Sequence, residues 1–262
     1  MSDPNYQFFL WLLSRCPNAA AMRVLDFGCG RGEIVQLLRD AGMECVGVEV
    51  QDSGVPPGWL RDNALVRQGL IRLVPETGTL PFHDQQFDVV ISNQVFEHVR
   101  DLPGTLAELK RVLKDDGWMY HHFPSREVIR EGHIGIPCVH WFRPGSLRFA
   151  YTVVLRALGF GKFTTGESIL DWARNKLAWL DANCAYRPYG EILQEFSREF
   201  TVRHQEITYC RVRAAHSQVL TYLLHIDCLR GVYEWLFRRL GFMALFMEKR
   251  HVKEWPSGPH ST

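Results

Sequence analysis

One short stretch of this 262-residue chain, VLDFGCGRGE at 24–33, constrains the fold more than any other. An apolar run at 22–27 (MRVLDF) leads into three glycines, Gly28, Gly30 and Gly32, and helical spacing begins directly behind them. Glycines there permit a tight turn and let backbone come close to a ligand. The spacing is GxGxG, and Glu33 stands where the GxGxxG pattern of dinucleotide binders wants a small residue. Asp26 and Glu33 would repel a diphosphate, so the loop suits a ligand that carries an ammonium and no phosphates. The next acid, Glu49, closes the second apolar run about twenty residues past the first glycine, where a carboxylate accepts ribose hydroxyls in such folds.

The rest of the first half alternates in the same manner. Ile34, Leu37, Leu38 and Ala41 have helical spacing over 33–41, and Gly42 ends the run. Strands are expected at 44–49, 70–74, 87–92 and 118–123, the last entered through the Asp116-Gly117 turn, with a helix at 102–113 and a Gly/Pro loop at 53–58. This order predicts a mostly parallel sheet with right-handed crossovers and a ligand crevice at the carboxyl ends of its strands. The second half predicts helices at 144–158, 168–180 and 189–200, an exposed strand at 200–210, one long helix at 216–240 and a last strand at 242–249. Three regions follow: a core at 1–142, a helical cap at 143–199, and a return to the core at 200–252.

Composition narrows the function classes. Apolar residues make up 46% of the chain, ample for a core, and the net charge of +1 supplies no global field for nucleic acid. Seven dispersed cysteines without a CxxC motif read as reduced thiols, which predicts a cytoplasmic protein. The apolar stretch at 8–13 is too short to span a bilayer and lacks the flanks of an export signal; it reads as a helix packed on the domain. The Gly/Pro/Ser/His tail after Trp255 reads as frayed.

Four segments, VLDFGCGRGE, VGVEVQD, TGTLPFHDQQFDVVISNQVFEHVRD and ELKRVLKDDGWMYHHFP, together resemble the class I S-adenosylmethionine-dependent methyltransferases, within the broad group that includes the ubiquinone and menaquinone biosynthesis enzymes. The resemblance covers roughly 24–124. It implies a Rossmann-like seven-stranded α/β sheet, order 3-2-1-4-5-7-6 with the last strand antiparallel, and S-adenosylmethionine as cofactor with S-adenosylhomocysteine as product. It also implies that Asp26, Gly28, Cys29, Gly30 and Gly32 line the methionine end, that Glu49 with Val50 holds the ribose, and that Glu76-Thr77 lies near the adenine, with Glu where the family usually has Asp. Asn93 and Gln94 would sit by the methyl group, and Glu97-His98 matches the family's EH pair, His98 as an orienting residue. The long 216–240 helix and the 144–200 block exceed the minimal fold.

Methyl transfer needs alignment and, for a hydroxyl acceptor, a base. Candidates cluster after the fifth strand at His121, His122, Glu131, His133 and His140, with His133 and His140 preferred as base or substrate ligand. Glu131, His133, Cys138 and His140 match no zinc spacing, so no metal is expected. The main expectation is a methyltransferase acting on a small molecule or glycan, at oxygen. Carbon methylation of a quinone or lipid-like acceptor stays open, as does an inactive cofactor-binding partner subunit. An NAD oxidoreductase is disfavoured by the loop spacing. Nucleic-acid methylation is disfavoured because no NPPY-like tetrad follows the fourth strand. The 216–240 segment mixes apolar, aromatic and basic residues; packing on the domain, a homodimer contact, or peripheral contact with a membrane or lipid-linked substrate are all open.

Overall fold

A computed structural model describes residues 3–50, 62–75, 78–164, 166–215 and 217–250. The 53–58 loop, Glu76, Thr77, His216 and the tail after Trp255 lie outside the described residues.

Seven strands form one sheet in the order β3-β2-β1-β4-β5-β7-β6. They are β1 (Arg23–Phe27), β2 (Glu44–Val50), β3 (Ile71–Val74), β4 (Phe87–Asn93), β5 (Leu113–Phe123), β6 (Phe200–His204) and β7 (Met243–Lys249). The first five pair in parallel, and β7 runs antiparallel to both β5 and β6. Successive side chains go to opposite faces. Leu25, Val90, Met119 and Leu245 meet α4 (Leu102–Val112) and α7 (Tyr189–Glu199) on one side. Val24, Val89, Tyr120 and Ala244 meet α1 (Pro4–Leu13), α2 (Glu33–Asp40), α3 (Ala64–Arg67) and α8 (Glu206–Arg213) on the other. A sheet covered on both faces is why its strands read as unbroken apolar runs.

A third apolar cluster stands apart from the sheet. Trp172, Ala173, Leu177 and Leu180 of α6 (Ile169–Asn183) pack with Ile134, Ile136 and Val139, flanked by α5 (Ser146–Ala157). Ser168 caps α6 by accepting from the Asp171 N–H at 3.1 Å. The cap core therefore begins ahead of residue 143.

Two expected elements differ. The strand expected over 200–210 stops at His204; the Gln205 N–H still reaches the Ala244 carbonyl, and α8 then starts at Glu206. The buried Glu206 carboxylate takes His204 and Arg238, and Ile207 and Tyr209 bury on the helix instead of alternating along a strand. The single helix expected over 216–240 is broken into α9 (Gln218–Leu223), a short turn at Asp227–Leu229, and α10 (Arg230–Leu240). Arg211 takes the Leu224 carbonyl through Nε and Nη2, at 3.1 and 2.8 Å, an acceptor that a continuous helix would need for itself.

Candidate active site

Between β1 and α2 the glycines turn the chain with φ of +71° at Gly28, +54° at Gly30 and +82° at Gly32. A Cβ on Gly28 would lie 2.4 Å from Val95, and one on Gly32 2.5 Å from Ile71; at Gly30 nothing lies within 4 Å. Packing thus closes two of these positions and leaves the middle one open toward a ligand. Gly28 and Cys29 N–H both donate to the Val48 carbonyl, binding the loop to β2. The Gly30 N–H donates to Glu49 Oε2 at 2.6 Å, and the Val50 N–H to Oε1 at 2.8 Å, so the acid at the end of β2 is already oriented on the loop.

The electrostatics are lopsided toward negative charge. Asp26 is buried and neither carboxylate oxygen has a hydrogen-bond partner. Burial, then Glu49 and Glu33, push its carboxyl up to about 8. Burial also raises Glu49 against the pull of its two N–H donors. A bare buried carboxylate next to two further acids is what an ammonium would neutralise and a phosphate would not. The donor set and the open Gly30 fit the methionine end and ribose of S-adenosylmethionine.

Asn93 and Gln94 end β4 at the same crevice. Asn5 on α1 donates through Nδ2 to Asn93 Oδ1 at 3.1 Å, and accepts at Oδ1 from the Tyr209 hydroxyl at 2.6 Å. Gln94 turns the chain with φ +58° while its N–H donates to the His122 carbonyl. Tyr6, next to Asn5, is pushed up to about 12 by burial, then by Glu33, Asp3 and Asp26, which sets it among the loop's acids. No motif or spacing marks Asn5, Tyr6 or Tyr209 as part of this site.

Of the histidines, the structure separates two pairs. His121 and His122 lie fully buried inside β5, not in the cleft. His121 Nδ1 meets the Ser92 hydroxyl at 2.7 Å, and the His122 ring sits among Phe8, Phe9, Tyr209 and Phe242. Burial pulls both down, His121 to about 3, so they are neutral fillers.

His133 and His140 lie in the cap, around Glu131. Glu131 Oε1 accepts from His133 N–H at 2.9 Å, His133 Nδ1 at 2.8 Å and the Tyr186 hydroxyl at 2.9 Å; Oε2 accepts from Ile134 and Gly135 N–H. Burial would raise this carboxyl, but hydrogen bonds from His133 and Ile134 hold it near 2. The bond fixes the His133 proton on Nδ1 and leaves Nε2 as an acceptor. His140 Nε2–H donates to the Arg126 carbonyl at 3.0 Å, its ring lies tilted against Tyr186, and burial pulls it down to about 4. His98 Nδ1–H donates to the Asn183 carbonyl at 2.7 Å.

Spacing along the chain missed a further association. His98, His133 and Cys184 each present one metal-ligand atom within 4.8 Å of the others, among the described residues. Both histidine Nδ1 atoms already serve oxygens there. Glu97, beside His98, is a second buried carboxylate without a partner; burial chiefly, with Glu131 adding, takes it up to about 8.

Comparison with known proteins bears on the family and the fold. A family model described as a methyltransferase domain matches residues 6–221. The chain is similar to a ubiquinone biosynthesis O-methyltransferase of Thiobacillus denitrificans, 27% identical over 48% of this chain and 58% of that one. It is also similar to a putative 23S rRNA (guanine-N(1)-)-methyltransferase of Bacillus subtilis, 32% identical over 49% of this chain and 44% of that one. The chain spans about half the length of the curated relatives it matches. Among solved structures, an S-adenosylmethionine-dependent methyltransferase from Mesorhizobium loti shares the fold at TM-score 0.52 and 16% identity, covering 92% of this chain and 97% of that one.

Proposed function

Because the chain belongs to the methyltransferase-domain family and is an S-adenosylmethionine-dependent methyltransferase, we propose that it methylates an oxygen of a small-molecule or glycan acceptor, with His133 as the base. The observation that carries this reading is the Glu131–His133 pair: a buried carboxylate pins Nδ1–H and aims the basic character at Nε2. When bound, S-adenosylmethionine supplies a sulfonium methyl that is already electrophilic, so the residues mainly align and deprotonate. Asp26 would face the ammonium, Glu49 and Val50 the ribose, the loop Gly28-Cys29-Gly30 with Gly32 the methionine chain, and Asn93 and Gln94 the methyl end. By the resemblance alone, Glu76 and Thr77 would lie near the adenine. His140 is a positioning residue on the acceptor side.

Residues 143–199 with the preceding 134–139 act as the cap over a core formed by the rest. Seven unbridged cysteines support a reducing, cytoplasmic setting, with a biosynthetic role. No helix among the described residues is long and apolar enough to cross a membrane.

The alternative, carbon methylation of a quinone or lipid-like acceptor, draws support from one feature. Val219, Tyr222, Val232, Trp235 and Leu240 are exposed over 217–240, with Arg230, Arg238 and Arg239 between them. Such a face suits peripheral membrane contact or a homodimer.

The test is turnover to S-adenosylhomocysteine with a panel of hydroxyl, amine and quinone acceptors. His133→Ala is expected to cut turnover on hydroxyl acceptors about 10²–10⁴-fold with cofactor affinity intact. Equal turnover in the variant would overturn the assignment of the base.

A further inference from the structure

Beyond the end of β5 lies a cavity of about 250 Å³ whose wall includes His140 and Tyr186 but none of the glycine-loop residues. Three arginines, Arg126, Arg143 and Arg148, and one carboxylate, Asp181, also line it. That carboxylate is engaged: Arg148 Nη1 donates to Asp181 Oδ1 at 2.5 Å. Arg126 and Arg143 form no ion pair with the other described residues, which leaves two cationic charges uncompensated at the wall. Arg126 Nη2 instead donates to the Trp141 carbonyl at 3.2 Å, which orients its guanidinium.

Two polar atoms on residues of this wall are buried with no partner. They are Nε of Arg148, a donor, and Nδ1 of His140, an acceptor because Nε2 carries the proton. Arg148 is 3% exposed and His140 8%, so solvent satisfies neither well. Both atoms are closed off from the cavity as well as from solvent, so contacts to a bound anion fall to Arg126 and Arg143.

We propose that this cavity takes an anion, a carboxylate or a phosphate, as the charged end of an acceptor. The planar guanidinium fork suits both anions, as paired N–H donors to two oxygens. His140 forms part of the wall, its ring tilted against Tyr186 at a centroid distance of 4.5 Å. Tyr186 in turn donates to Glu131, which ties the pocket to the Glu131–His133 pair. A cavity of this size sits at the small end of ligand sites, which begin near ~300 Å³. The pocket's purpose rests on the methyl-transfer reading; its preference for anions does not.

The experiment is calorimetric titration of the protein, with and without S-adenosylhomocysteine, using 3-hydroxybenzoate, glycerol 3-phosphate and the neutral 3-hydroxybenzamide. At least one anionic probe is expected to bind tenfold or more tighter than the amide, roughly the worth of one charged contact. The two anionic arms tell a carboxylate from a phosphate. Arg143→Gln, an exposed change with little risk to folding, is expected to lower anion affinity about tenfold and leave S-adenosylhomocysteine affinity unchanged. Equal binding of the amide, unchanged anion affinity in both Arg143→Gln and Arg126→Gln, or no heat from either anion up to about 10 mM, overturns the proposal. Failure of S-adenosylhomocysteine to bind strikes the cofactor reading instead, and the titrations without it still decide the anion question.

Discussion

Asp26 and Glu131 are both buried carboxylates of one chain, yet the protein treats them in opposite ways. Glu131 accepts five hydrogen bonds and is held near 2; Asp26 accepts none and is driven up to about 8. Burial acts on both in the same direction, so partnering alone decides the sign. A saturated carboxylate has finished its task within the fold, which here is to set a histidine and a loop. An unsaturated one is a cost to the fold, which on the proposed reading a ligand's ammonium would offset. On the proposed function, the difference separates the group that would aim the chemistry from the group that would wait for the ligand.

The comparison can be broken most forcefully at Glu131. Glu131→Gln removes the charge and sets an amide N–H₂ against donors; turnover is expected to fall about 10²-fold or more through the misdirected His133. The melting temperature should drop by several degrees, roughly 2–4 °C per kcal/mol for a chain this size. The pH profile of melting sharpens the point. Because the folded carboxyl lies near 2 and the ordinary value is 4.5, Glu131 stabilises the fold above about pH 4.5, and that stability is lost as pH falls toward 2. The variant should lose that part of the acid limb. An unchanged acid limb would show that the hydrogen bonds contribute nothing.

Asp26→Asn comes next. Loss of a charge-assisted contact to the ammonium should weaken S-adenosylhomocysteine binding about 10–100-fold by calorimetry. The sign for stability is reversed from Glu131. A carboxyl raised from 3.8 to about 8 costs stability increasingly as pH climbs through that window. The ligand-free variant should therefore melt higher than the native chain at pH 8, by about 2–4 °C for each kcal/mol relieved, with the gap closing toward pH 4. A variant that binds weakly and melts lower at pH 8 would refute the idea of a waiting carboxylate.

Gly30→Ala is the smallest. The left-handed φ costs about 1 kcal/mol with a Cβ, but nothing lies within 4 Å to clash. A melting drop of about 2–4 °C is expected, with a larger fraction of the effect appearing in cofactor affinity if the open space belongs to the ligand.

What could be read in the sequence follows the range of the contacts. The sheet was legible because each buried parallel strand is a continuous apolar run, and the crevice because Asp26, Gly28, Gly30 and Gly32 are neighbours in the chain. The limits of β6 and the 216–240 helix were not, since Glu206 and Arg211 act on them through His204, Arg238 and the Leu224 carbonyl. Both patterns were compatible with their neighbours' spacing, and only tertiary hydrogen bonds chose. The cap cluster was half legible. His133 was named from its residue type, but His98, Cys184 and Tyr186 reach it across 35 to 53 positions that no local periodicity records. His121 and His122 were misplaced because strand alternation cannot say which polar residue an aromatic core will accept.

The side chain of Asn5 fastens the first helix to the end of β4 and to Tyr209, so residues some two hundred positions apart meet in one amide. Whatever sits against Asn93 shares its doorway with that knot. Loosening it by Asn5→Ala would register in how fast a nucleoside comes and goes more than in how tightly it is held, making the outermost turn of the chain a latch on residence time.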